Sequence, residues 1–123
     1  MKFLCLVYGD ENTLQTMPVA ECIEYDEKLK RGGKCLASES LQPTSTAATV
    51  RVRSGKVTIT DGPFMETKEA LAGFYLVDAA NLQEAVQLAA KIPPAQVGSI
   101  EVRPIRDIRE LARERGESVA LVK

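Results

Sequence analysis

The alternation of apolar and polar residues predicts a small α+β domain. Residues 2–8 form an almost continuous apolar run, which is typical of a central strand buried on both faces. Pro18 suits the first turn of a helix and Gly32-Gly33 ends it, while Asn81 and Glu84 form a capping-box arrangement at the start of a second helix. In chain order the pattern predicts strand, helix, strand, hairpin, strand, helix and strand, over residues 2–8, 18–31, 34–40, 50–60, 73–77, 82–92 and 99–104.

The hairpin has the clearest pattern of the chain. Val50 and Val52 alternate with arginines, Val57 and Ile59 alternate with threonines, and residues 54–55 (Ser-Gly) supply a two-residue turn. This register places Val52 opposite Val57 and Val50 opposite Ile59. We therefore expect one buried apolar face and one face in water.

The helices are expected to bury apolar stripes. The first stripe contains a carboxylate, Asp26, near its centre. A short tail helix is predicted over residues 105–115. The expected inward positions are Val19, Cys22, Ile23 and Leu29 in the first helix, Leu82, Ala85, Val86, Ala89 and Ala90 in the second, and Ile108, Leu111 and Ala112 in the tail.

Two β-α-β segments around an antiparallel insertion predict a ferredoxin-like α+β sandwich with an antiparallel sheet. Both main helices then cover one face of that sheet. Residues 2–8 and 73–77 are apolar on both faces, so the opposite face would be left open. Because a soluble chain rarely exposes such a face, we expect a homodimer with two sheets packed face to face.

Composition narrows the function classes. The chain has 123 residues, which is one domain, and a formal charge of −1, which argues against charge-driven binding of nucleic acid or of a membrane. It has no histidine, so histidine triads, histidine zinc sites and histidine bases are excluded.

Three widely spaced cysteines form no metal pattern, and no metal or cofactor is expected. Cys5 lies in an apolar strand and Cys22 on a helix stripe, so buried, inert thiols are expected. The alternative is a reactive thiol, for which Cys35 is the first candidate because Lys34 precedes it.

Asp61 and Asp26 are the first candidates for chemistry. Asp61-Gly62-Pro63 is either ordinary turn chemistry, with Phe64 packing the turn onto the core, or a turn that holds a carboxylate at the edge of a cleft. Asp26 either reaches water through a slight rotation of the helix or marks the wall of a pocket.

Arg103 shares a face of the last strand with Glu101. It either anchors an anionic ligand or forms an internal ion pair with Glu101. The arginines of the tail are interleaved with acidic residues, which is typical of a solvated helix rather than of a DNA-binding one.

Several segments resemble one family. DGPFMETKE, AGFYLVDA and GSIEVRPI, together with MKFLCLVYGDE and GGKCLASESLQP, are similar to the DGPF-containing branch of the YCII-related family. The resemblance covers residues 1–105 and leaves a C-terminal helical tail over 106–123. It implies a dimeric α+β barrel, matches Asp61 and Arg103 to family positions, and suggests a link to extracytoplasmic-function sigma factors. Better-studied relatives carry a His–Asp dyad, which this chain lacks.

Two functions follow as hypotheses. The first is a cytoplasmic homodimer that binds or acts on a small polar or anionic molecule, with Asp61 catalytic and Gly62, Pro63, Phe64, Arg103 and Asp26 binding the ligand. Any catalysis would be cofactor-independent and not histidine-based. The alternative is a non-catalytic regulatory module that binds a protein such as a sigma factor. The N-terminus lacks the features of a signal peptide, so a cytoplasmic location is expected.

Overall fold

The first apolar run forms a central strand of a four-stranded antiparallel sheet. The structure is a computed structural model that describes residues 1–119, so the end of the predicted tail lies outside the described residues. The strands are β1 (Lys2–Gly9), β2 (Cys35–Ser40), β3 (Ala48–Arg53), β4 (Lys56–Asp61), β5 (Ala70–Asp78) and β6 (Ser99–Pro104). The helices are α1 (Glu11–Thr16), α2 (Val19–Arg31), α3 (Leu82–Ala90) and α4 (Ile108–Glu114).

The strand order confirms the predicted ferredoxin-like architecture. The sheet runs β2-β5-β1-β6, and every neighbouring pair is antiparallel. Each β-α-β segment therefore leaves a gap between its two strands, and the other segment fills it. The core lies on the face covered by α2 and α3, where Phe3, Cys5 and Val77 pack with Ala85 and Ala89 of α3. Among residues 1–119, no helix is long and apolar enough to cross a membrane.

The opposite face of the sheet has an apolar centre, and no helix of residues 1–119 covers it. Cross-strand partners share a face, so the pairs Leu4–Leu76 and Leu6–Phe74 lie together on it. These four side chains are only partly buried. We call the surface formed by Leu4, Leu6, Phe74 and Leu76 the open sheet face.

The hairpin has the predicted register, but its apolar face is not buried. Val50 pairs with Ile59 and Val52 with Val57. Positive φ angles at Ser54 and Gly55 produce the I′ type of turn that suits a two-residue hairpin. The expectation of a single solvated face is wrong, because β3 and β4 form a separate two-stranded sheet and their four apolar side chains are 55–68% exposed.

The helices differ from prediction in which residues they bury. In α2, Leu29 is buried and Tyr25 packs against the core, whereas Val19 and Ile23 are exposed. The Tyr25 hydroxyl donates a hydrogen bond to the Leu88 carbonyl at 2.6 Å, so this aromatic residue fixes the rotation of α2 against α3.

Similar corrections apply to α3 and α4. In α3 the small residues Ala85 and Ala89 face the sheet, while Leu82 and Val86 remain about half exposed. Ala90 is exposed as well. In α4 the predicted inward residue Ile108 is 73% exposed, because this short helix lies outside the core cluster.

Candidate ligand-binding cleft

A mostly apolar cavity lies between the helices α1–α2 and the strands β2 and β5. Its volume is about 370 Å³, within the range of small-molecule sites. A second cavity of about 320 Å³ continues along α2 towards Asp26. The two adjoin because they share the lining residues Cys22, Ile23, Glu39, Ser40, Phe74 and Tyr75. We call these two cavities together the cleft.

One wall of the cleft is built by α1, which the sequence pattern did not predict. The Asp10 side chain caps this six-residue helix by accepting a hydrogen bond from the Thr13 amide. Glu11 then accepts hydrogen bonds from both the amide and the hydroxyl of Thr44, in the loop after β2. These contacts hold that loop beside α1, so the main cavity has a defined outer rim. A helix this short carries too little apolar periodicity to be recognised.

The far end of the cleft is polar. Asp26 accepts a hydrogen bond from the Ser38 hydroxyl of β2 and forms an ion pair with Lys30 at 2.9 Å. Burial raises the pKa of the Asp26 carboxyl, but the hydrogen bonds from Ser38 and Lys30 outweigh it, and the pKa is lowered overall. Asp26 is therefore ionised at neutral pH and is a weak base.

Tyr75 supplies a hydrogen-bond donor at the junction of the two cavities. Its ring lies 6.4 Å from that of Tyr25. Burial, followed by the nearby groups Cys22 and Asp26, raises the pKa of Tyr75 to about 12. The Tyr75 hydroxyl thus stays protonated at neutral pH. Within residues 1–119 it makes no hydrogen bond, in contrast to the hydroxyl of Tyr25.

The cysteines near the cleft are not activated. Burial, followed by the charge of Asp26, raises the pKa of the Cys35 thiol. Lys34, the residue expected to activate Cys35, instead forms an ion pair with Glu84 of α3 at 3.0 Å. Lys34 therefore does not provide the activation on which the alternative of a reactive Cys35 depended. Burial raises the pKa of Cys5 to about 11 and that of Cys22 above its usual value.

The predicted DGPF residues lie at the base of the hairpin, outside the cleft. Gly62 has a φ of 100°, and its amide donates to the Ala47 carbonyl at 2.7 Å, as a turn requires. Asp61 is exposed, and Pro63 is partly buried. Phe64 is not a plug against the core; it is 67% exposed and stacks with the Arg51 guanidinium, 5.1 Å from the ring centre.

Arg103 is also separate from the cleft. It pairs with Leu4 in the sheet, so it lies on the same side as the open sheet face. Its Nε atom is 3.5 Å from Glu101, which is the internal ion pair that the sequence left as one of two readings.

Of the predicted site residues, Asp26 alone lines the cleft. The structure does not bring Asp61 or Arg103 to it. Sequence reasoning missed Tyr75, Ser38 and Glu11. For Ser38 the one signal was Asp26 itself, a carboxylate inside an apolar stripe that needs polar partners across the interface.

The cleft offers binding groups rather than a metal site. Within residues 1–119, no group of three or more Cys, Asp and Glu side chains is placed to hold a metal ion. The cleft combines apolar walls with two polar groups: the protonated hydroxyl of Tyr75 and the ionised carboxylate of Asp26, which accepts hydrogen bonds from Ser38 and Lys30.

Comparison with known proteins gives relatives in sequence and in structure. An uncharacterised protein, R00369, from Rhizobium meliloti (strain 1021) is 38% identical over 118 residues, which covers 85% of this chain and 92% of the relative. Among solved structures, 5-chloro-2-hydroxyhydroquinone dehydrochlorinase (TftG) from Burkholderia phenoliruptrix AC1100, in complex with 2,5-dihydroxybenzoquinone, has a TM-score of 0.52 at 17% identity. That match covers 86% of this chain and 94% of the enzyme, and it supports the fold.

A family model agrees with the resemblance drawn from the sequence segments. The model of the YCII-related domain matches residues 1–109, which include all six strands and the first three helices. Assignment to the DGPF branch remains a prediction from the motif. By this match and by its likeness to R00369, the chain belongs to the YCII-related family.

Proposed function

We propose that the protein binds a small organic molecule in the cleft, with an apolar body in the main cavity and a hydrogen-bond acceptor directed at the Tyr75 hydroxyl. The observation that carries the proposal is an apolar cavity of about 370 Å³ with an unpartnered phenol at its inner end. Ligand sites commonly combine apolar walls with a few orienting polar groups. A carbonyl or ether oxygen on a compact ring system fits this arrangement.

The charges around the cleft favour a neutral ligand over an anionic one. Glu11 and Asp26 line it with their carboxylates, whereas Lys30 is its single basic residue and is already paired with Asp26. An acidic lining repels anions and raises the cost of bringing one out of water. The dihydroxybenzoquinone bound by the structural neighbour is a compact ring with oxygen substituents, and this supports the proposed size and ring shape. Its acidic hydroxyls are ionised at neutral pH, so the neutral class proposed here rests on the charges of the cleft alone.

The competing proposal is a polar or anionic ligand at the DGPF turn, with Asp61 acting on it and Arg103 holding it. A pair of variants separates the two locations. Cys22 lines both cavities, so Cys22→Phe fills the cleft. Ala20 is exposed on the same helix, so Ala20→Phe is the matched control, and Asp61→Asn tests the turn.

The measurement is a thermal-shift screen against small neutral quinones, lactones and cyclic ketones. A ligand at a hundred times its dissociation constant adds about 2.7 kcal/mol of stability, or several degrees for this chain length. We expect a shift in the wild type, in Ala20→Phe and in Asp61→Asn, and its loss in Cys22→Phe. A shift lost in Asp61→Asn but kept in Cys22→Phe would place the ligand at the turn instead.

We also propose that the protein is a cytoplasmic homodimer. Support for the dimer comes from the open sheet face, whose four apolar side chains have no covering layer within residues 1–119. In a dimer, a second copy of this face would cover them.

The alternative function, a regulatory module that binds a partner such as a sigma factor, is favoured by the exposed apolar residue Ile108 on α4. If this alternative holds, deleting residues 106–123 removes partner binding and leaves the dimer intact. Pull-down of an extracytoplasmic-function sigma factor by the full and truncated chains tests it. Equal capture by both would exclude α4 as the contact.

A further inference from the structure

The β3–β4 hairpin is an amphipathic arm, and within residues 1–119 its apolar face has no covering layer. Val50, Val52, Val57 and Ile59 line that face and are 55–68% exposed. The other face carries threonines and basic residues. A two-stranded hairpin alone is at best marginally stable in water, because its apolar side chains gain little from each other. The described residues therefore lack the layer that would stabilise this arm.

Charge favours a second copy of the chain as that layer. The hairpin, residues 48–61, has three basic residues and one acidic residue, so its formal charge is +2. The whole chain carries −1, which leaves −3 for the remaining residues. On the open sheet face, Glu39 lies opposite Phe74, and Glu101 lies opposite Leu6. Because Glu101 is paired with Arg103 on the same face, Glu39 is the acidic group outside that pair. The basic side chains Arg51, Arg53 and Lys56 lie on the face opposite to the four apolar residues, so their charge draws the arm towards the acidic body of another copy while the apolar face makes the contact.

Interface area gives the second argument. From strand spacings, a four-stranded face about 20 Å long has a footprint of roughly 400 Å², and one face of the hairpin adds roughly 200 Å². The hairpin would therefore enlarge the planar contact with a second copy by about half over the open sheet face alone. Specific interfaces gain from such an extension because they bury large areas on each partner.

We propose that the hairpin packs its apolar face against a second copy of this chain and extends the interface formed by the open sheet face. This inference rests on the homodimer proposed above and adds the arm to it. Two-fold symmetry makes the contact occur twice, with each arm held by the other protomer.

Neighbouring residues on opposite faces of β4 provide the test. Ile59→Lys puts a charge on the apolar face, and Thr58→Lys puts the same charge on the solvated face one residue away. Sedimentation equilibrium measures the dimer dissociation constant of each variant. Burying one Ile59 side chain in the interface lowers the dissociation constant about tenfold or more, and the symmetric dimer buries two. We expect Ile59→Lys to raise the constant at least about 100-fold and Thr58→Lys to change it less than about threefold.

Two additions keep the test decisive if Ile59→Lys unfolds the arm. Val50→Thr keeps the β-branched shape and strand preference while adding a hydroxyl, and it should still weaken the dimer about tenfold. Hydrogen exchange of the hairpin amides in the wild type should slow as protein concentration increases through the dissociation constant.

The outcomes separate the arm from the dimer. A dimer that survives Ile59→Lys and Val50→Thr but dissociates on Leu6→Lys overturns the arm and keeps the homodimer. A wild-type chain that is monomeric at all concentrations overturns both. Loss of the dimer in Thr58→Lys to the same degree as in Ile59→Lys would also overturn the arm, since charge rather than the apolar face would then be responsible.

Discussion

At the scale of single residues, Asp26 connects the cleft to the stability of the fold. Its carboxylate receives the Ser38 hydroxyl from β2 and the Lys30 ammonium from the next turn of α2, so it fastens the helix to the edge of the sheet. Burial works against the charge, and the two donors more than compensate. The polar end of the cleft is thus also a structural contact.

The lowered pKa of Asp26 predicts a pH-dependent effect of Asp26→Asn. A carboxyl whose pKa is lower in the folded chain contributes stability that is full above the unfolded value, about 3.9, and disappears as pH falls through the folded value. Asp26→Asn should therefore cost about 1 kcal/mol in urea unfolding at pH 7, and the difference should shrink as pH falls below about 4. The exposed variant Glu24→Gln on the same helix should stay within about 0.5 kcal/mol of the wild type at neutral pH. A constant deficit for Asp26→Asn at every pH would show that its role is packing rather than charge.

The sequence identified a residue of the cleft where a polar side chain interrupted an apolar stripe. Asp26 was found because a carboxylate in an apolar stripe demands partners. Tyr75 gave no such signal, since a tyrosine in an apolar strand is equally typical of a core. Its unpartnered hydroxyl depends on how α2 rotates, which the pattern predicted incorrectly. Asp61 was identified through the DGPF motif. A turn motif does not determine on which side of the molecule the turn lies.

At the scale of elements, the close contact between β2 and β5 shapes the cleft wall. Gly73 of β5 lines the cleft and pairs with Ser40. A Cβ at this position would lie 2.7 Å from the Glu39 carbonyl oxygen and 3.3 Å from the Ser40 Cα, both in the backbone of β2. The strands cannot keep this spacing with any larger residue.

Gly73→Ala should therefore destabilise the fold by about 1–3 kcal/mol, because β2 has to move away from β5. It should also weaken any ligand of the cleft, since both cavities are lined by this strand pair. Gly32→Ala is the control: an added Cβ there has its nearest neighbour at an ordinary 3.5 Å. Chemical denaturation of both variants checks the comparison. Equal stability of the two would mean that the strands separate without cost.

Elements with strong local chemistry were predictable. The Ser-Gly turn and strict alternation determined the hairpin register, and Asn81 caps α3 as its sequence indicated. The second hydrogen bond of a capping box would run from the Asn81 amide to the Glu84 side chain. The Glu84 carboxylate instead forms an ion pair with Lys34. Inward faces of the helices were less predictable. Tertiary partners such as Tyr25 and Leu88 decide the rotation, and they are 63 residues apart in sequence.

At the scale of the whole molecule, two apolar surfaces remain without a covering layer in the described chain. They are the open sheet face and the apolar face of the hairpin. The sequence predicted the first from strands that are apolar on both sides, and assigned the second to the interior. That error has a physical origin: alternation shows that a strand pair has an apolar face, but not whether the same chain or another copy covers it.

A dimer held by the open sheet face predicts a melting temperature that depends on concentration. Only the folded dimer is stabilised by association, so each tenfold increase in protein should raise the midpoint by about 3 °C for two chains of this length. Leu6→Lys should abolish this dependence, because it places a charge at the centre of the face. The monomer should tolerate the lysine, since Leu6 lies opposite Glu101 and on the side away from the core. Gln83→Lys on α3, outside both apolar surfaces, adds the same charge and should leave the dependence intact. A midpoint independent of concentration in the wild type would instead mean that each chain folds without a partner, and that the open sheet face faces water or binds a different molecule.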